Sequence, residues 1–296
     1  MLERQIRLYG IPLSHPVLAA KGMLDHKGLS YRYVELLAGA HPPALWALGF
    51  RGATVPAIRL ADGRRAQGSL VIAQALEQTV PSPSLYPDSS AARAAVANAE
   101  HWGEAVLQPI PRRLIRWGLR RHLRQRQWFA EVASPLPAPA LAGLLLTPIV
   151  PVFSRLAGAN DVQVRRDLDQ LPAMLDEVDR LLEQGVIGGD QLHAADFQIA
   201  ASVRMLLAMR DLEQLVSGRR AETLALRVVP EYPEVPAALH RIGCLPRRGP
   251  GRRGSCGVAT GRVPPVRRAA CFSTAKCELG SSQTSGPPQN AASNSS

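Results

Sequence analysis

The residues best suited to chemistry lie near the start of the chain, where short predicted strands give way to helices. Ser14 follows an apolar strand and precedes a proline-containing helix, so its hydroxyl should lie near free helix amides and can stabilise an anion. Val55-Pro56 begins another apolar strand. Because proline has no N–H to donate to a neighbouring strand, the backbone at this point stays available to pair with a ligand. Gly68 and Ser69 open an apolar helix whose free amides also attract anions. Together these residues predict a site for a carboxylate or peptide-like ligand.

The order and spacing of these residues resemble the thioredoxin-like N-terminal domain of the glutathione S-transferase superfamily. The residues that carry the resemblance are Leu8, Tyr9, Ser14, Val55, Pro56 and Ser69. The resemblance implies that the Val55-Pro56 bond is cis, that its backbone pairs with the cysteinyl part of glutathione, and that Ser69 holds the γ-glutamyl carboxylate. Gln67 and Gly68 complete the expected glutathione-binding set. The superfamily usually carries Glu or Gln directly before the serine, so Gly68 is a departure that affects binding of the γ-glutamyl amine.

The resemblance makes Ser14 the expected catalytic residue, as the donor of a hydrogen bond to the glutathione sulfur. A free thiol titrates near about 8.5, and lowering its pKa by about two units requires roughly 2.7 kcal/mol of preferential thiolate stabilisation. Ser14 needs no covalent chemistry for this role. The local sequence also predicts Ser14 as an N-cap, which is compatible with it. Tyr9, at the end of the first strand, is the alternative sulfur ligand, ranked below Ser14, and neighbouring His15 is interpreted as a surface or capping residue.

Cysteine usage limits the other functions of the chain. All four cysteines follow position 243, and no pair has the CxxC spacing, so zinc-ribbon and dithiol redox sites are excluded and no metal site is expected. A serine in place of a cysteine at position 14 argues against disulfide reduction. The opening residues lack the long apolar run of a secretory signal, so the expected location is the cytoplasm. No cofactor is expected, since glutathione would serve as a co-substrate.

Charge is distributed unevenly along the chain. The formal net charge is +11, but residues 241–296 hold nine basic residues and one acidic residue, which leaves 26 basic and 23 acidic residues in the first 240. Seven arginines and no acidic residue lie between Arg112 and Arg126. Such a helix can grip an anionic co-substrate, nucleic acid or a membrane surface, but the favoured interpretation is a solvated face whose arginine stems cover apolar surface. We therefore expect no nucleic-acid partner, and membrane contact only as a weaker alternative.

The pattern of strands and helices predicts an α/β thioredoxin-like domain followed by an all-α domain. Strand, helix and strand over Ile6–Leu37, then a hairpin and a helix from Ser69 to Gln78, give the first. Helical periodicity dominates afterwards, including a seam from Val164 to Leu182 and a helix capped by His193 and Asp196. The expected domains are 1–82, which binds glutathione, 83–240, which is helical, and 241–296, a disordered basic tail of low complexity.

The resemblance implies a glutathione S-transferase that binds glutathione, or a similar thiol, and transfers the thiolate to a small electrophile. It also implies a homodimer with a role in detoxification. Gly68 in place of an acid or amide keeps open an alternative function, a transferase-fold protein that binds or regulates without catalysing a reaction.

Overall fold

Short strands and helices alternate at the start of the chain, and helices make up most of the remainder. The computed structural model describes residues 5–133, 147–148 and 150–239, all within the unit Met1–Gly254. The strands are β1 (Ile6–Gly10), β2 (Tyr31–Glu35), β3 (Ala57–Arg59) and β4 (Arg65–Gln67). The helices are α1 (His15–His26), α2 (His41–Ala47), α3 (Ser69–Thr79), α4 (Ser90–Trp102), α5 (Pro109–Arg121), α6 (Leu123–Ala133), α7 (Val150–Leu156), α8 (Asp161–Glu183), α9 (Ala194–Ala208), α10 (Glu213–Val216) and α11 (Arg220–Val228). A π-helical turn, Gly103–Leu107, joins α4 to α5.

The four strands form one mixed sheet in the order β2-β1-β3-β4. Strand β1 is parallel to β2 and antiparallel to β3, and β3 is antiparallel to β4. This is the predicted thioredoxin-like arrangement, and the fold class is confirmed. Side chains alternate across β1, so Leu8 joins the core with α1 and α3, whereas Tyr9 packs with Leu45 of α2. The sheet therefore has helices on both faces.

Gly10 allows α1 to lie close against the end of β1. A Cβ atom at this position would lie 2.7 and 2.8 Å from the two methyl carbons of Val17, which is too close for carbon atoms in contact. The loop between β1 and α1 is consequently short and closely packed, and it places Ser14 at the carboxyl end of β1.

Helix α9 is the centre of the helical part. It is apolar around most of its circumference, and it packs against α1, α4 and α11. Its first turn is capped as predicted, because the Asp196 carboxylate accepts the backbone N–H of His193 at 2.8 Å and that of Gly188 at 2.5 Å. Asp196 is thus a structural residue.

Some predicted elements differ from those observed. Helix α2 was not predicted, and Pro109 occupies the first turn of α5, directly after the π-helical turn. The predicted second strand ends at Glu35 rather than Leu37. The predictions for residues 134–146 and for the tail from 240 onward lie outside the described residues, and the domain boundaries stay predictions.

Candidate functional site

A cavity of about 160 Å³ opens beside the N-terminus of α1. The loop between β1 and α1 and the turn at Val55 form one side of it, and residues of α5, α6 and α7 form the other. Ser14 and Val55, both half-buried, line the same cavity although they are far apart in sequence. The fold thus brings together two of the predicted site residues.

Ser14 occupies the N-cap of α1, but its hydroxyl makes no capping hydrogen bond. Its carbonyl begins the helix by accepting the N–H of Val17 at 2.9 Å and that of Leu18 at 3.1 Å. The preceding residue, Leu13, has a φ of +62°, which is uncommon for a residue with a side chain, and its carbonyl accepts the Tyr232 hydroxyl at 2.8 Å. The Tyr232 hydroxyl therefore fixes the residue before Ser14, and Ser14 lies on the cavity lining without a side-chain capping bond.

Gln67 shapes the turn that precedes Val55. Its Oε1 accepts the backbone N–H of Gly52 at 2.9 Å, and its Nε2 donates to the carbonyl of Thr54 at 2.6 Å. The Val55-Pro56 bond is cis, as the resemblance implied. Among the described residues, neither the N–H nor the C=O of Val55 has a hydrogen-bond partner. The turn consequently presents a peptide backbone edge to the cavity.

The other predicted binding residues lie beside the cavity lining rather than in it. Gly68 donates its N–H to the Pro56 carbonyl at 2.9 Å and precedes α3 with a φ of +91°. Ser69 is 1% exposed, and its Oγ accepts a hydrogen bond from Gln108 Nε2 at 3.4 Å. Its hydroxyl is thus engaged by the helical part of the protein.

His15, next to Ser14, is a buried and neutral group rather than the surface residue predicted. It is 2% exposed, and its Nε2 donates to the backbone carbonyl of Gln108 at 3.2 Å. Burial, together with the positive charge of Arg112, lowers the pKa of His15 to about 3. The imidazole therefore adds no positive charge to this wall at neutral pH.

Two arginines of the predicted basic segment, Arg112 and Arg116, line the cavity from α5. The solvated face predicted for this segment is therefore wrong for these two residues. Arg113, on another side of the helix, forms a bidentate ion pair with Asp167 at 2.6 and 2.7 Å. The segment thus combines structural ion pairs with two cavity-facing cations.

Tyr9, the alternative sulfur ligand, lies on the other face of the sheet. It is 3% exposed and packs edge to face against Phe50, with ring centroids 5.5 Å apart. It is not part of the cavity lining. Of the two candidate hydroxyls, only that of Ser14 reaches the cavity.

Comparison with known families agrees with this geometry. Residues 8–84 match the family model described as glutathione S-transferase, N-terminal domain. The match covers residues 8–84 of the 296-residue chain and shows that this part is similar to the N-terminal domain of glutathione S-transferases. No curated protein matches the sequence.

Solved structures with the glutathione S-transferase fold cover most of the chain. Glutathione transferase F7 from Populus trichocarpa is 16% identical, with 80% of this chain and 97% of that chain covered and a TM-score of 0.52. Glutathione S-transferase from Sinorhizobium meliloti 1021 is 16% identical, with 77% and 93% covered and a TM-score of 0.52. FzlA from C. crescentus is 16% identical, with 81% and 98% covered and a TM-score of 0.52. At these identities the likeness shows the fold alone.

The glutathione S-transferase fold also brings to the site residues that sequence analysis missed. Tyr232 reaches Leu13 across 219 positions of sequence, and Gln108 joins His15 to Ser69. His41 of α2 lines the cavity, where burial and the charge of Arg116 lower its pKa. No local pattern marks these residues, because each acts through a distant partner.

Residues 5–133, 147–148 and 150–239 are the part of the chain that the structure describes. No group of three or more His, Cys, Asp or Glu side chains is arranged there to hold a metal ion. In the same residues, no helix combines the length and the apolar character needed to cross a membrane.

Proposed function

We propose that the protein binds glutathione, or a similar low-molecular-weight thiol, and transfers its thiolate to an electrophile held in the cavity. The single observation that carries the proposal is the unengaged Ser14 hydroxyl at the N-terminus of α1, on the same cavity as the open backbone of Val55. A peptide-like thiol pairs with that backbone and directs its sulfur toward the hydroxyl.

The chemistry follows from these two groups. The Ser14 hydroxyl and the amides of the first turn of α1 donate toward the sulfur, and such donors favour the charged thiolate over the neutral thiol. After the thiol proton passes to solvent, the thiolate electron pair forms a bond to the electrophilic carbon, and the leaving group on that carbon departs with the electrons of the bond that breaks. The Ser69 hydroxyl accepts a hydrogen bond from Gln108, which leaves its O–H free to donate to the γ-glutamyl carboxylate. Because Ser69 is buried, a ligand reaches that O–H only if neighbouring side chains move, so Ser69 is the part of the site that ligand binding must rearrange.

Replacement of Ser14 by alanine tests the proposal. We expect Ser14→Ala to lower kcat/KM for conjugation of glutathione to chlorodinitrobenzene by about a hundredfold and to raise the apparent pKa of the pH–rate profile by up to about two units. Steady-state assays across pH measure both. The matched control is Ser89→Ala, because Ser89 also occupies an N-cap without a side-chain capping bond and is exposed outside the cavity. Its kinetics should equal those of the wild type.

The competing function is a transferase-fold protein that binds or regulates without turnover. The buried Ser69 hydroxyl and the missing side chain at Gly68 favour it. Retention on a glutathione-affinity matrix with no conjugation, unchanged by Ser14→Ala, would establish this function and reject the catalytic one. We also propose a cytoplasmic homodimer that detoxifies electrophiles, and light scattering of the purified protein tests the dimer.

A further inference from the structure

Arg112 and Arg116 differ from arginines such as Arg113, whose guanidinium is held in a structural ion pair. They lie one helical turn apart on α5, so both point into the cavity. Among the described residues, no ion pair joins either guanidinium to a carboxylate, although the Glu104 charge acts on Arg112. Each donates instead to a neutral acceptor: Arg112 to Gln108 Oε1 at 2.6 Å, and Arg116 to the Phe153 carbonyl at 3.5 Å.

Within the part of the chain that the structure describes, most N–H groups of these two guanidinium groups therefore have no acceptor. A guanidinium carries five N–H donors, and each of these side chains engages one polar acceptor here. Burial and the proximity of Arg112 lower the pKa of Arg116 to about 10, so the group is desolvated yet still charged at neutral pH. Two adjacent half-buried cations are unfavourable unless an anion joins them.

Much of the remaining cavity wall is apolar and aromatic. Trp128 and Phe129 of α6, Phe153 of α7 and Leu119 of α5 lie along it. A purely apolar electrophile would leave the arginines unpaired, and a small inorganic anion would leave the aromatic wall uncovered. The ligand that satisfies both is a flat apolar body with an acidic group.

We infer that the second substrate is an amphipathic anion, an aromatic or similarly apolar electrophile whose carboxylate or equivalent oxyanion binds Arg112 and Arg116. The inference rests on the proposed thiol transfer and names its substrate class. The two arginines are specificity-determining residues, and the thiol binds on the opposite side, at Ser14 and Val55.

A chloroaromatic acid would react by substitution of its chloride. Glutathione loses its thiol proton to solvent, and the thiolate electron pair forms a bond to the chlorine-bearing ring carbon. The carbon–chlorine bond then breaks, and chloride leaves with the bonding pair. The carboxylate takes no part in bond making and remains on the arginines throughout.

Two chloroaromatic probes with the same ring separate charge from shape. We expect wild-type protein to prefer chlorodinitrobenzoate over the neutral chlorodinitrobenzamide in kcat/KM, and Arg112→Gln and Arg116→Gln each to reduce that preference about tenfold or more. Arg124→Gln is the matched control, because Arg124 is exposed on α6 outside the cavity and its loss removes the same charge. It should leave the preference unchanged. Arg116→Lys, which keeps the charge, should retain part of it.

Further measurements distinguish the outcomes. If Arg112→Gln and Arg116→Gln affected both probes equally, the inference would be overturned. A rise in the KM for glutathione with no change in probe preference would also overturn it, because the arginines would then bind a carboxylate of glutathione. If the wild type conjugates neither probe, the proposed function fails, and calorimetric binding of unreactive dinitrobenzoate without thiol still decides the anion site. Arginine-dependent binding would support it, whereas no binding, or binding equal in the Gln variants, would reject it.

Discussion

At the scale of single residues, His15 shows how burial sets the chemistry of the site. Its imidazole lies between the Ser14 loop and Gln108, and the Gln108 carbonyl accepts its Nε2–H. Since a carbonyl only accepts, Nε2 carries the proton in the native protein. Burial disfavours the charged form, and a protonated imidazole at this position would also lie beside the half-buried cations Arg112 and Arg116, which explains why the neutral form is favoured.

This preference predicts acid sensitivity. The pKa of His15 is about 3 in the folded protein and about 6.5 in the unfolded chain, so between those values only the unfolded chain binds the proton. Stability from this group is fully present above about pH 6.5 and is lost as the pH falls. From about pH 7.5 to about pH 5, the wild type should lose about 2 kcal/mol of unfolding free energy more than His15→Asn. Urea titrations at both values measure the difference.

The control for the acid sensitivity is another histidine. His101 is exposed on α4, so His101→Asn should lose as much stability as the wild type over the same range. If His15→Asn lost as much as well, the folded protein would bind the proton on this imidazole over the same pH range as the unfolded chain, and its assignment as a neutral buried group would be wrong.

At the scale of elements, the junction between β4 and α3 depends on the backbone of Gly68. This residue has a φ of +91° and a ψ of +144°, a combination that is essentially confined to glycine. A Cβ atom there would meet only Glu104 Oε1, at 3.9 Å, so there is space for a side chain. The backbone conformation, rather than a lack of space, therefore favours glycine at position 68 over the usual acid or amide.

Substitution at Gly68 separates strain from space. We expect Gly68→Ala to reduce the unfolding free energy by about 1–3 kcal/mol. The control is Gly189→Ala, because its φ is not in the left-handed region and its Cβ would make ordinary contact with the Gln191 carbonyl at 3.6 Å. That variant should stay within about 0.5 kcal/mol of the wild type or be slightly more stable. Equal effects in chemical denaturation would show that the backbone at Gly68 relaxes.

The elements also show how much the sequence could predict. Periodicity and turn residues sufficed for β1, α1, the hairpin, α3 and the seam of α8, because each pattern is local. Helix α2 was missed because Pro42 and Pro43 indicate a turn, yet both fit within a first helical turn, where no N–H is needed. The pairing of Ser14 with Val55 followed from the resemblance. The inward turn of Arg112 and the contact of Tyr232 with the loop did not, since both depend on long-range packing.

At the scale of the whole molecule, the sheet and the helices share one hydrophobic core. Leu8 of β1 and Ile72 of α3 belong to the same buried cluster as Ile199 and Leu206 of α9. The cavity lies where these two parts meet, with Ser14 on one side and Arg112 on the other. The relative position of the two sides, and hence the site itself, depends on that core.

A buried lysine reinforces the junction between the two parts. The Lys27 side chain is fully buried at the end of α1, and its Nζ donates to Glu77 at 3.0 Å and to the carbonyls of Val80 and Pro83 at 2.5 and 2.8 Å. It thereby ties α1 to the end of α3 and to the segment that leads into α4. All three ammonium protons have acceptors, which compensates for the removal of the charge from water.

Removal of this lysine tests whether the molecule unfolds as one unit. We expect Lys27→Met to lower the unfolding free energy by about 3–5 kcal/mol, because Glu77 loses its cationic partner and two carbonyls lose a donor. Hydrogen exchange measured by mass spectrometry should report the same loss for the slowest amides of β1 and of α9, since one core contains both. Lys21→Met, on the same helix, removes a contact with the Tyr33 ring at 3.8 Å and the attraction of the Asp25 and Glu35 charges, and should cost about 1 kcal/mol or less. If only the amides of β1 lost protection, the sheet would open without α9. The cavity wall that contains Ser14 would then come apart well before the whole protein unfolds.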